Sequence, residues 1–155
     1  NEQQWQVIKT PSFSPISLEN LLNDYPIATT ELTLLDRCGK HLAKVLKGEY
    51  EPKNLLFPEG DLTNLTSLYQ DSSGAKVMNL IMQKTITLAL EKIPSGQKVR
   101  ILEIGAGTGG TTSYLLPHLK PEQTEYCFTD VSPLFTSKAQ DKFKDYSFVT
   151  YEVLD

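Results

Sequence analysis

The sequence predicts an α/β fold: a Rossmann-like open parallel sheet, truncated after its third strand and preceded by an α-helical N-terminal region. Three observations carry that prediction. Val99–Thr112, read as VRILEIGAGTGGTT, joins a short β-branched apolar run to a cluster of glycines and a helix start, the order of a buried parallel strand, a tight turn and a helix. Glu125–Thr129 is a second strand and delivers Asp130 to the sheet's carboxyl edge, about 20 residues beyond the last glycine, where a second parallel strand places an acid on ribose hydroxyls. Phe148–Val153 then alternates as a third strand.

Composition bounds the function classes. A chain of 155 residues with 39% hydrophobic and 22% charged residues is of ordinary single-domain size and make-up. A net charge of -4, a pI near 5.2 and no Lys/Arg stripe argue against a nucleic-acid partner. No signal peptide and no membrane-spanning apolar run are visible, so the expected location is cytoplasmic, with no membrane partner. Cys38 and Cys127 lack metal-ligand spacing and are expected to be reduced thiols, with no metal site. A start at Asn1 suggests a piece excised from a longer polypeptide.

Residues 1–16, with Trp5 and no periodicity, are expected to be a lead-in or linker, and 17–96 a helical region. Ser17 can cap a helix carrying Leu18, Leu21 and Leu22, which Tyr25 and Pro26 end. Thr29 or Thr30 caps the next, whose apolar face is Leu35, Cys38, Leu42, Val45 and Leu46 and whose stop is Gly48. His41 sits beside that face as a surface or packing residue. Glu49–Gly60 is expected to be an ordered loop around Leu55, Leu56 and Phe57, and Asp61–Tyr69 a short helix. Ser72 or Ser73 caps a long helix to about Ile93, apolar on so much of its circumference that it should lie between the helical region and the sheet. Tyr25 and Tyr69 fit either aromatic packing or the lining of a channel.

The third region, 97–155, holds the chemistry. A strand, a glycine turn and a helix N-terminus present unpaired N–H groups to a ligand. Gly105, Gly107 and Gly110 satisfy the dinucleotide spacing, whereas Gly105, Gly107 and Gly109 satisfy the S-adenosylmethionine spacing. Glu103 favours the second. A carboxylate two residues before the first glycine repels a pyrophosphate and suits a ligand with an amino group and a sulfonium. An NAD-dependent enzyme is the alternative. Beyond the turn, Thr112, Leu115, Leu116 and Leu119 form an inward helix face that Pro117 shortens, and His118 is a surface residue near its end. Tyr126 and Phe128 share one face of the second strand. Asp130 is read as a ribose ligand or as a cap for the helix that Ser132 and Pro133 begin, whose face is Leu134, Phe135, Ala139 and Phe143.

LEIGAGTGGTTSYLLPHL, YCFTDVSPLF and the final YEVLD together resemble the S-adenosylmethionine-dependent C-methyltransferase domains of polyketide synthases and related megasynthases. LLFPEGD and SLYQDSSGAKVMNL more loosely resemble that family's lid and core helices. The resemblance covers the family's N-terminal part and implies a class I methyltransferase fold. It implies that Glu103, Gly105, Ala106, Gly107 and Thr108, with Gly109 in the same turn, hold the methionine end of the cofactor. Asp130, with Val131 beside it, would hold the ribose, and Asp155 would lie near the adenine. It further implies methylation of the α-carbon of a β-ketoacyl thioester on an acyl carrier protein, among neighbouring domains of one synthase. The general base, a His with an acidic partner, is expected beyond Asp155, so catalytic residues are not assigned here. A non-catalytic pseudo-methyltransferase serving as a structural or cofactor-binding module is the competing expectation.

Overall fold

The computed structural model describes residues 6–10, 12 and 16–155. Trp5 and most of the expected lead-in lie outside them. Five α-helices come first: α1 (Leu18–Asp24), α2 (Thr29–Leu46), α3 (Lys53–Leu56), α4 (Thr63–Thr66) and α5 (Ser73–Leu90). Strand β1 (Val99–Ile104), α6 (Gly110–Leu115), β2 (Thr124–Asp130), α7 (Pro133–Lys142) and β3 (Val149–Val153) follow. The strands form one parallel sheet in the order β1-β2-β3, with Ile101 opposite Tyr126 and Tyr126 opposite Val149.

The core lies on one face of this sheet. Leu115, Leu116 and Leu119 from the α6 segment and Ala139 and Phe143 from the α7 segment close over Tyr126, Phe128 and Val149, with Ile86 and Leu90 of α5 against their edge. The predicted inward face of α6 is therefore the observed one. Pro117 converts its end to a single 3-10 turn, Leu116–His118.

Other expectations need correction. Strand β1 is not buried on both sides: Ile101 and Glu103 turn inward, while Leu102 and Ile104 are 57% and 71% exposed. Helix α5 is not enclosed either, since Val77, Met78, Ile81, Met82 and Leu88 remain exposed. On α2 the buried residue is Leu34, and the expected inward residues Leu35, Leu42 and Leu46 face out. Thr29 does not cap α2; it is the first helical residue, and its hydroxyl donates to the Pro26 carbonyl at 2.7 Å. The expected loop Glu49–Gly60 contains α3, with Leu55 buried and Phe57 edge-on to Phe135 at 5.8 Å.

The expected helix Asp61–Tyr69 is two pieces. Asp61 accepts the Thr63 N–H at 2.9 Å to start α4, and the chain then widens into a π turn, Ser67–Asp71, closed by the Ser72 N–H on the Ser67 carbonyl at 2.9 Å. Ser72 also caps α5 as expected, its hydroxyl accepting the Ala75 N–H at 3.3 Å.

Candidate functional site

The carboxyl edge of the sheet is where the chemistry collects. After Ile104 the backbone turns through Gly105 (φ 67°), Gly107 (φ 57°) and Gly109 (φ 70°), left-handed conformations that favour glycine. The loop is fastened to β2. The Ala106 N–H donates to the Thr129 carbonyl at 2.9 Å, the Gly107 N–H to Asp130 Oδ2 at 2.9 Å, and Thr129 Oγ1 to the Glu103 carbonyl at 2.7 Å.

The glycines divide by what lies beside them. A Cβ on Gly105 would meet nothing within 4 Å, and one on Gly107 would meet only its own loop. A Cβ on Gly109 would come within 2.7 Å of the Phe143 ring, and one on Gly110 within 2.6 Å of the Tyr69 carbonyl. The first two leave room for a ligand against the backbone; the last two serve packing.

Glu103 projects beneath this loop. Its Oε2 accepts two short hydrogen bonds, from Thr112 Oγ1 at 2.5 Å and Tyr126 OH at 2.6 Å, while Oε1 takes none from a described residue. Burial raises the Glu103 carboxyl above its ordinary range, against the opposing pull of both bonds. Burial and the adjacent carboxylate hold the Tyr126 phenol far above its usual range, so it remains a donor.

Above Glu103 lies a cavity of about 930 Å³, also lined by Gly105, Ala106, Gly107, Thr108 and Thr111. Its opposite wall comes from the helical region, with Phe57, Leu68, Tyr69, Met78 and Asn79 prominent, and is mainly apolar. Thr108 Oγ1 is buried with no hydrogen-bond partner among the described residues. Tyr69 lines this wall while 58% exposed, whereas Tyr25 is exposed elsewhere on the surface.

Five of the sequence-derived residues, Glu103, Gly105, Ala106, Gly107 and Thr108, therefore share one cavity. The other four do not line it. Gly109 is buried against Phe143 and Phe128. Asp130, 6% exposed, sits under the loop, its Oδ1 accepting the Ser132 N–H at 2.8 Å. Val131 is exposed just beyond. Asp155 is exposed past β3, whose end reaches Asp130 through the Leu154 N–H on the Asp130 carbonyl at 3.1 Å. Both histidines are elsewhere: His41 contacts the Arg37 carbonyl and the Tyr50 ring, and His118 lies near the amino ends of β1 and β2.

Sequence reasoning missed Thr112, Tyr126 and Asn79 as site residues. A tyrosine in a buried strand must find a partner for its hydroxyl, and that was the available signal for Tyr126. Among the described residues no cluster of His, Cys, Asp and Glu is arranged to hold a metal, and no helix is long and apolar enough to cross a membrane.

The profile of a methyltransferase-domain family matches residues 102–155. Among curated proteins the chain is 37% identical over 88% of its length to the non-reducing polyketide synthase ausA of Penicillium brasilianum, and 40% identical over 89% to pks11 of Talaromyces marneffei. It spans only 6% of each of those synthases. Among solved structures, the CurJ carbon methyltransferase is 56% identical with a TM-score of 0.90, covering all of this chain and 42% of that one. The CMeT domain of the citrinin polyketide synthase is 34% identical with a TM-score of 0.81, covering 89% of this chain and 38% of that one. The trans-methyltransferase CalH, solved in complex with SAH, is 26% identical with a TM-score of 0.62 over the same shares.

Proposed function

The chain belongs to the carbon methyltransferase family of polyketide synthases, with a class I methyltransferase fold, and from that premise we propose that its glycine-loop cavity binds S-adenosylmethionine for C-methylation of a carrier-bound β-ketoacyl chain. In this reading 1–16 is a linker, 17–96 the lid region and 97–155 the first part of the cofactor domain of a multidomain cytoplasmic synthase.

The residues present fit such a ligand. Gly105 and Gly107 leave the backbone bare on the cavity side. The unpartnered Thr108 hydroxyl offers both a donor and an acceptor, and the open Oε1 of Glu103 offers a negative charge for the ligand's amino group. Asp130 orders the loop through Gly107; each of its oxygens retains a lone pair for ribose hydroxyls. Val131 and Asp155 would flank the adenosine, and Gly109 would shape the loop from behind. The apolar wall limits water around Glu103 and strengthens the attraction between its carboxylate and a cationic ligand.

S-adenosylmethionine supplies an electrophilic methyl group on a good leaving group, so the protein's contribution is positioning and a base for enolate formation. Among the described residues no His or Lys lines the cavity. A module that binds cofactor without catalysing is the second reading, and turnover by the full-length protein separates the two.

Glu103 facing the cavity is the observation that carries the proposal. Calorimetry on the protein in its full natural length should show binding of S-adenosylmethionine and S-adenosylhomocysteine and none of NAD; NAD binding without response to either would overturn it. With labelled S-adenosylmethionine and a β-ketoacyl carrier protein, the full-length protein should transfer methyl groups, whereas residues 1–155 alone should not. Turnover by the short chain would place the base among these residues, with Tyr69 the first to test. Binding without turnover in the full-length protein would establish the module reading.

A further inference from the structure

Asn79 is the one buried residue of α5, at 5% exposure, on a helix whose apolar side chains are largely exposed. A buried amide is costly unless both ends are bonded. Here both are. Nδ2 donates to the Tyr69 carbonyl at 3.0 Å, and Oδ1 accepts from Thr111 Oγ1 at 2.9 Å. The Tyr69 carbonyl is the same oxygen that rules out a Cβ on Gly110. One side chain thus joins three elements: the π turn, α5 and the first turn of α6.

The neighbouring contacts point the same way. The last carbonyls of a helical turn lack partners within it, and those of this π turn are taken up by side chains. Ser72 Oγ donates to the Leu68 carbonyl at 2.8 Å, Asn79 to that of Tyr69, and Tyr114 OH to that of Gln70 at 3.3 Å. Lys142 Nζ spans Gln70 Oε1 at 2.9 Å and the Thr108 carbonyl at 3.2 Å, reaching from α7 to both sides of the seam. Leu68, Tyr69, Asn79, Gly110 and Thr111 all line the cavity, so the seam is one of its walls.

We propose that Asn79 is a positioning residue for the ligand of the glycine-loop cavity: by fixing the Tyr69 carbonyl over Gly110 and holding Thr111, it locks the π turn to the glycine loop and forms the wall before ligand arrives. The proposal rests on the S-adenosylmethionine reading for the identity of that ligand. A preformed wall spares the ligand the ordering of this segment on binding.

The test uses the full-length protein, S-adenosylhomocysteine titration and amide hydrogen exchange. Asn79→Asp keeps the shape and the acceptor for Thr111 but sets a carboxylate oxygen against the Tyr69 carbonyl. It should weaken S-adenosylhomocysteine binding about 10-fold or more, raise KM for S-adenosylmethionine with kcat held within about twofold, and speed exchange only in 67–72 and 109–113. Thr111→Val, which removes the other bond, should act in the same direction and less strongly. Unchanged affinity in both variants would overturn the proposal even if exchange quickened, because Asn79 would then serve the fold alone. Should Asn79→Asp fail to fold, Thr111→Val decides. If the wild type binds no S-adenosylhomocysteine, the methyl-donor reading fails and overturns this proposal with it, whereas wild-type binding that both variants retain in full overturns the proposal alone.

Discussion

Glu103→Gln separates what this residue does for the fold from what it does for a ligand. In the native chain both donors, Thr112 and Tyr126, point at one oxygen, Oε2. A glutamine can present its amide oxygen to both and leave its amide nitrogen where Oε1 was. The carboxyl is held above the ordinary value of 4.5, first because burial penalises the charged form. Between that value and the raised one the folded chain holds more of the proton than the unfolded chain does, so stability falls as pH rises through this window. Above it the full penalty stands. The amide carries no such penalty, so Glu103→Gln should melt at or above the wild-type temperature at pH 7.5, and its stability should lose the dependence on pH across that window. Ligand binding should go the other way. Replacing the partner of a partly buried ammonium group should cost about 2–3 kcal/mol, roughly 30- to 150-fold in affinity for S-adenosylmethionine. Scanning calorimetry across pH and isothermal titration measure the two halves. A variant destabilised at pH 7.5 with unchanged ligand affinity would refute the assignment of Oε1 to the cavity.

Asp130 should act on both counts at once, since its carboxylate already accepts the Gly107 and Ser132 N–H groups: Asp130→Ala should lose about 2–4 kcal/mol of stability in denaturant melts and about thirty-fold in cofactor affinity, whereas a drop in stability alone would leave it only a loop fastener. The glycines offer a paired comparison. Gly109→Ala combines a left-handed φ with a contact of 2.7 Å to Phe143 and should cost about 2–4 kcal/mol of stability. Gly105→Ala has open space beside it and should cost about 1–2 kcal/mol of stability while obstructing the ligand, so its larger effect should be on affinity. Equal effects of the two on stability and on binding would contradict that division.

What the sequence made legible was local. The strand-glycine-helix order of 99–115 could be read because each step is decided by near neighbours, and the inward face Thr112, Leu115, Leu116 and Leu119 followed from helical spacing. Spacing reports which side of a helix is apolar; it does not report whether anything covers that side. Hence α2 and α5 were assigned buried faces that the structure leaves exposed. The features that complete the cavity join distant positions: Tyr126 reaches Glu103 across 23 residues and Asn79 reaches Thr111 across 32. Such bonds leave no periodic trace. Nor does a π turn, whose residues are ordinary helix formers and which exists only through the partners its carbonyls find.

The π turn also makes one stretch of the chain intolerant of changes in length. Closing on Ser67 from Ser72, it holds one residue more than an α turn would. Ser72, extended at φ -60° and ψ 153°, then separates the turn from α5, so deleting a residue from the turn would shorten the link between α4 and α5 and displace α5 against the glycine loop. Such a displacement would part Asn79 from the Tyr69 carbonyl or from Thr111, the two partners that it holds at 3.0 and 2.9 Å. Single-residue insertions and deletions should thus be accepted in the exposed turn at 94–98 and rejected between Ser67 and Asn79, even where every substitution at the deleted position is harmless.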